Sequence, residues 1–334
     1  MKHTLLVLLI GCVVFGYANA DLYGYFWTRY TFENPTTPDV DENEHYFSIE
    51  RGYVRWKTKT SPVSVAATID IAMKRNATNA SDWNVRLKYA HANWTIPGIS
   101  QTLPDFMAII GLQKTYFGVI DKWEYHIIEK SLEDTEKKIN SAELGLAFRG
   151  DLPNGVGTVT AGIYNGNGYS SAVENNQWKD LSFDLAVVPI QGITVKGSAW
   201  IGKENAVIDT VGTTEEVTEN RFAGVLEVQR GPLHIMGEYL YFMDGVYNAD
   251  DIVGWGAMGY VEYFLNDYIS LLGRYDYYDP DNDTENDVHS RIIGGVNWHV
   301  SEYLLWQNNY QIEMYEDENR DAEDKIMVQL KYSY

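Results

Sequence analysis

The sequence has one cysteine among its 334 residues and few bases for its acids, 26 Lys plus Arg against 47 Asp plus Glu, a net charge of −21. Beyond residue 20 it also lacks any charge-free apolar window of the ~18 residues that a spanning helix needs. Each shortage excludes something. A single thiol makes no internal disulfide, and Cys12 lies in a segment expected to be removed. The surplus of acids works against phosphate backbones, whose binders concentrate Lys and Arg to displace counterions, so no nucleic-acid partner is expected. The missing apolar run excludes a helical membrane protein but not a barrel, whose signal is only about ten residues of alternating polarity per strand. Length alone does not choose between two soluble domains and one large barrel.

At the N-terminus, Lys2 and His3 precede the apolar run Thr4 to Val14, and Ala18-Asn19-Ala20 offers a small-x-small cleavage site before Asp21. Residues 1–20 therefore read as a cleaved secretory signal, and 21–334 as the mature domain. Leu9-Ile10-Gly11-Cys12 resembles a lipoprotein box, which would make Cys12 a lipidated first residue; the apolar stretch continuing past Cys12 favours the later site.

The mature chain is filled with period-two alternation, which a strand imposes. Ile326, Val328, Leu330, Tyr332 and Tyr334 share one face, opposite Lys325, Gln329, Lys331 and Ser333. Val63 to Lys74 splits the same way, and in Asp82 to Ala90 the residues Trp83, Val85, Leu87 and Tyr89 oppose Asn84, Arg86 and Lys88. Marking every such run predicts strands at 22–32, 44–59, 62–74, 82–95, 104–113, 141–150, 156–165, 180–188, 192–203, 220–230, 232–243, 253–264, 267–278, 288–300, 303–315 and 324–334. The phase of the first two is ambiguous, and Gly52 suggests a bulge there. Connections alternate long and short, as in outer-membrane barrels, with long ones at 33–43, 114–140, 166–179, 204–219, 244–252, 279–287 and 316–323. One connection, 96–103, is longer than its side predicts. The expected fold is all-β: a transmembrane antiparallel barrel of sixteen strands in one domain, with lipid outside and water inside.

On that phase Arg86, Lys88, Arg149, Lys196, Arg274, Arg291 and Lys331 point inward, beside Asp70, Glu238, Glu262 and Asp276. These are the pore-lining candidates. Arg or Lys on the lipid face would cost ~2 to 4 kcal/mol at mid-bilayer, which favours placing them inside. Many remaining acids fall in two connections, Asp279 to Asp287 and Glu316 to Asp324, where they serve solubility or contact surface lipid through divalent cations. Asp279, Asp281 and Asp283 resemble the start of a calcium loop, but the sixth position is Thr284 and the twelfth Ser290, where Gly and Glu are needed. No metal site and no cofactor is therefore expected.

Gly111-Leu112-Gln113-Lys114-Thr115-Tyr116-Phe117-Gly118 resembles the G-x-F-K-T-P-F-G run of the phosphate-selective porin O and P family. Ile128-Glu129-Lys130-Ser131-Leu132, Ile163-Tyr164-Asn165-Gly166, Gly237-Glu238-Tyr239, Arg274-Tyr275-Asp276 and Gly295-Val296-Asn297-Trp298 resemble further family segments in order. The resemblance implies a bacterial outer-membrane homotrimer in contact with lipid and lipopolysaccharide. Its third long loop, here 114–140, would fold inward, with Lys114 as a constriction candidate. Tyr116 stands where the family has proline, Tyr334 where it usually ends in Phe, and 114–138 carries five bases against six acids. The expected function is thus a passive channel for small hydrophilic solutes or ions, weakly selective and leaning to cations if the acidic mouth dominates, with an anion- or phosphate-selective channel as the alternative.

Gly254-Trp255-Gly256-Ala257-Met258-Gly259 matches the dinucleotide fingerprint, but Tyr260-Val261-Glu262-Tyr263 continues a strand rather than opening a helix; the glycines instead relieve crowding on a curved strand or beside another subunit. A barrel lipase or protease would need a converging Ser-His or Asp-His pair, of which none is recognisable. A secreted carbohydrate-binding β-protein could account for the 25 tyrosines and 10 tryptophans. The barrel reading predicts a chain that requires detergent and migrates differently on gels before and after boiling; unchanged migration of a detergent-free protein would sink it.

Overall fold

The computed structural model describes residues 20–34, 44–58, 60–75, 81–99, 102–170, 176–207, 212 and 214–334. The signal peptide with Cys12, up to residue 19, lies outside them. The sixteen alternating runs form sixteen strands: β1 (Ala20–Asn34), β2 (Glu44–Thr58), β3 (Val63–Arg75), β4 (Ser81–Thr95), β5 (Met107–Lys114), β6 (Ala142–Leu152), β7 (Gly157–Tyr164) and β8 (Asp180–Ile190). Then follow β9 (Ile193–Val207), β10 (Thr214–Arg230), β11 (Leu233–Asp244), β12 (Ile252–Phe264), β13 (Ile269–Asp279), β14 (His289–Ser301), β15 (Leu304–Tyr315) and β16 (Glu323–Ser333). Each pairs antiparallel with its neighbours in sequence, and β1 pairs with β16, so the sheet closes into a barrel without an edge. At the seam Gly24 and Tyr334 exchange backbone hydrogen bonds of 3.1 and 3.0 Å. One four-residue helix, α1 (Leu132–Thr135), interrupts the long connection between β5 and β6.

The outer face is apolar. Trp83, Val85 and Leu87 on β4 are 58%, 62% and 49% exposed, whereas soluble strands hide such side chains. Trp298 and Trp306 are cross-strand partners, both exposed, and with Tyr263 and Tyr332 they form an aromatic girdle near the rim of short turns.

Four details differ from the sequence expectations. The bulge of the second strand falls at Glu50, not Gly52: the register jumps between Trp27↔Arg51 and Thr28↔Ile49, and Glu50 and Arg51 both face inward. A second bulge sits at Lys88, where the register jumps from Thr68↔Tyr89 to Ile69↔Leu87. Tyr89, expected outside with Leu87, therefore lies inside beside Lys88. One added residue inverts every later side chain of a strand without changing its composition. The long connection at 204–219 is mostly strand, with Glu216 opposite Asn205 and Thr218 opposite Lys203, because a hairpin rising beyond the apolar belt has water on both faces and needs no alternation. Finally, the connection from β4 to β5 runs to Phe106, folds back through an Ile96 N–H bond to the Phe106 carbonyl (3.0 Å), and stacks Phe106 on Phe148.

Gly254 and Gly256 face the lumen rather than a neighbouring subunit. A Cβ on Gly256 would lie 3.0 Å from Leu132 Cδ2 and 3.1 Å from Tyr278 Cδ2, so glycine there admits α1 against the wall. Gly259 has nothing within 4 Å of its missing Cβ. Gly256→Leu should therefore cost about 1 to 3 kcal/mol by overpacking, read as a lowered heat-unfolding midpoint in detergent, while Gly259→Leu should leave the midpoint unchanged. Equal effects would contradict this packing.

Candidate functional site

A barrel of sixteen strands is too wide for its own side chains to fill, so what occupies the lumen decides how much of it stays open. Here it is the connection 115–141. Phe117, Val119, Ile127, Leu132 and Ile139 bury themselves against Leu240, Phe242, Met258, Leu272 and Ile293 of the inner wall, an apolar cluster inside a polar channel. The approach is close enough to demand glycine at Gly118, whose φ is +49° and whose Cβ would lie 2.2 Å from Glu238 Oε1. Gly118 N–H then donates to Ser198 Oγ (3.0 Å), and Val119 N–H is shared by Glu238 Oε1 and Glu133 Oε1, both at 3.0 Å. Burial pushes Glu133 above the usual carboxylate range.

Polar clamps surround this core. Asn297 and Gln307 donate to the His126 carbonyl at 2.8 and 2.7 Å, and His126 Nδ1 meets Glu262 Oε2 at 2.7 Å. Arg274, bonded to Asp276 (2.7 Å), also donates to the Lys130 carbonyl. Arg291 reaches Glu136 of the loop at 3.4 Å and Asp276 and Glu313 of the wall at 3.3 and 3.2 Å. Lys196 joins Asp121 (2.5 Å) to Asp184 (2.9 Å), and Lys138 joins Asp244 (2.7 Å).

The sequence-derived candidates accordingly divide. Glu238, Glu262, Arg274 and Asp276 lie buried beneath the loop rather than along open space, and Lys196 and Arg291 are buried in its ion pairs. Asp70 is buried 3.9 Å from Arg51, and Arg86 bonds Asn84 at 2.9 Å. Lys114, Arg149, Lys88 and Lys331 line open volume. Two chambers lie on the short-turn side of the loop, of about 540 and 450 Å³. Lys114 borders both, its Nζ donating to the Asp121 carbonyl (2.6 Å), while Arg149 lines the larger and Lys88 and Lys331 the smaller. Arg51 and Arg55 of the smaller chamber were missed, because the Glu50 bulge hid the phase of β2; the run Arg51-Gly52-Tyr53-Val54-Arg55-Trp56 alternates once that residue is set aside. Asp281 accepts from the Asp283 N–H (3.2 Å) and the Thr284 hydroxyl (2.8 Å) within their loop, Asp279 ends β13, and no cluster suited to a metal occurs among the described residues.

No protein-family model matches the sequence, and no curated protein does. Solved structures share its fold. Pseudomonas putida OprB at high pH superposes with a TM-score of 0.70 at 10% identity, covering 95% of this chain and 94% of that one. Outer-membrane expressed OmpT of Vibrio cholerae gives 0.68 at 12% over 94% and 97%, its in-vitro folded trimer form 0.66 at 13% over 94% and 99%. The anion-selective porin from Comamonas acidovorans gives 0.64 at 9% over 95% and 100%. The fold is thus a transmembrane antiparallel barrel of sixteen strands, similar in shape to these outer-membrane proteins. The likeness to the phosphate-selective porin O and P family rests on the motifs alone.

Burial opposes the charged form of His126, but hydrogen bonds to Glu124 and Glu262 and their negative charge prevail, raising its pKa to about 9. Because the folded value exceeds the unfolded ~6.5, this clamp is complete below about pH 6.5 and is lost as pH rises through about 9. Amide protection of residues 120–130 should fall over that window in the parent chain and lose its pH dependence in His126→Gln. Flat protection in the parent would refute the clamp.

Proposed function

We propose that the chain is a bacterial outer-membrane porin, a passive diffusion channel for small hydrophilic solutes or ions that performs no chemistry. The observation that carries this reading is the combination of an apolar exterior with polar chambers left open beside an inward loop. The trimer form of the similar Vibrio cholerae OmpT and the motif resemblance support a homotrimer. Such a protein is exported through its cleaved signal, residues 1–20, and sits among outer-membrane lipid and lipopolysaccharide. The acids of the connections 280–288 and 316–322 would face the cell exterior, where divalent cations bridge them to anionic lipid.

The pore interior supports a lean to anions rather than the cation lean drawn from composition. Glu238, Glu262 and Asp276 are buried and engaged with the loop or with wall cations, and although acids and bases both border the larger chamber, the smaller is bordered by Arg51, Arg55, Lys88, Lys114, Lys122 and Lys331 against only Asp121 and Glu124. Fixed charge inside a narrow, weakly screened lumen acts on a passing ion more strongly than charge on distant loops, beyond the ~10 Å Debye length at 0.1 M salt. In planar bilayers under a salt gradient the purified chain should conduct in discrete steps, with a reversal potential of the sign for anions. Absence of conductance would overturn the porin reading, and a cation-signed potential the lean.

A further inference from the structure

The cations of the lumen differ in whether they meet a carboxylate, as Arg51 meets Asp70 and Lys325 meets Glu129. On β9, β10, β13 and β14 the inward bases Lys196, Arg221, Arg274 and Arg291 all end on carboxylates. On β2, β4, β5, β6 and β16 five others have no carboxylate within ion-pair distance among the described residues. Lys88 ends on the Ser141 hydroxyl, Lys114 on the Asp121 carbonyl, Lys331 on the Glu124 carbonyl, and Arg149 over the Tyr116 ring. Arg55 has a buried Nε with no hydrogen-bond partner.

Four of these five, Arg55, Lys88, Lys114 and Lys331, border the smaller chamber; its two acids, Asp121 and Glu124, pair with Lys196 and His126, and tyrosines supply much of the rest of its wall. The Arg55 guanidinium lies 4.8 Å from the Tyr53 ring centre and 5.1 Å from that of Tyr25. Lys331 Nζ is 5.3 Å from the Tyr25 ring centre, and Tyr89, turned inward by the Lys88 bulge, adds a further ring. Rings hold the guanidinium plane flat and leave its fork for a planar anion. The chamber volume of about 450 Å³ falls within the ~300 to 1,000 Å³ of small-molecule sites.

Chloride or phosphate would use the charges and leave the ring faces idle. A neutral sugar would use the rings and leave the cations uncompensated. A carboxylate on an aromatic ring uses both, the carboxylate on the guanidinium fork and the ring against tyrosine faces. On the channel reading given above, we infer that this chamber is a binding site for small arene carboxylates, and that Arg55 and Tyr89 set its preference. Binding is weak, as passage through the channel requires.

The test titrates the purified full-length chain in detergent with sodium benzoate, sodium acetate, inorganic phosphate and benzyl alcohol by calorimetry, and separately measures block of chloride current in bilayers. Benzoate should bind about tenfold more tightly than acetate, the factor a ring contact supplies, and more tightly than phosphate or benzyl alcohol. Arg55→Gln should weaken benzoate about tenfold, and Arg55→Lys should restore only part, since lysine keeps the charge but not the fork. Tyr89→Leu should remove most of the benzoate-to-acetate ratio while keeping acetate affinity, so the inference stays testable if the arginine variants fail to fold. Acetate or phosphate binding as tightly as benzoate, or a ratio unmoved in Tyr89→Leu, overturns the site. Benzoate binding without any conductance supports the site and overturns the channel; conductance without benzoate preference does the reverse.

Discussion

Every backbone N–H and C=O at membrane depth must find a partner within the protein, and closure of β16 onto β1 completes that requirement for this chain. Ten registered residue pairs, from Tyr25↔Ser333 to Asn34↔Asp324, join the two strands. An even number of antiparallel strands returns both chain ends to one rim, so short turns gather on that side and long connections on the other. With the wall closed, a side chain has two destinations only, and the alternation of polarity follows from that restriction.

The inward loop is the second layer of the structure, and it behaves as a small folded unit rather than a flexible constriction. Apolar side chains of the loop meet apolar positions of β11 to β14 that an empty water-filled pore would leave wet. Ion pairs around this core add little net stability, because desolvating the charges offsets most of their attraction, yet they fix where the loop sits. Their larger consequence is electrostatic. By drawing lumen carboxylates into clamps, the loop leaves bases, Arg55, Lys88, Lys114 and Lys331 among them, in excess around the smaller chamber, so an acidic protein of net charge −21 acquires a basic chamber within it.

The strands were legible because a period of two is written locally, within about ten residues, and survives substitution of one apolar residue for another. The bulges at Glu50 and Lys88 were not, because an inserted residue shifts phase without altering composition, and the side chains beyond it carry the error. Tyr89, Arg51 and Arg55 were misplaced or missed for this one reason, and all three belong to the smaller chamber. Bulges concentrate where a wall must present two consecutive side chains to one face, so the positions hardest to read are those nearest the site.

The sequence by itself determined the architecture: sixteen runs of alternating polarity admit few arrangements other than a closed sheet with its apolar face outward, since each run has only two faces. It also marked the inward charges of every strand whose phase no bulge disturbs. Only the tertiary structure decided which of those charges are free. Arg274 and Asp276, two residues apart on one strand, neutralise each other beneath a loop more than a hundred residues away in the chain, while Arg55 on β2 meets no carboxylate among the described residues. Pairing depends on distances across the lumen, and those exist only once the barrel has closed and the loop has docked within it.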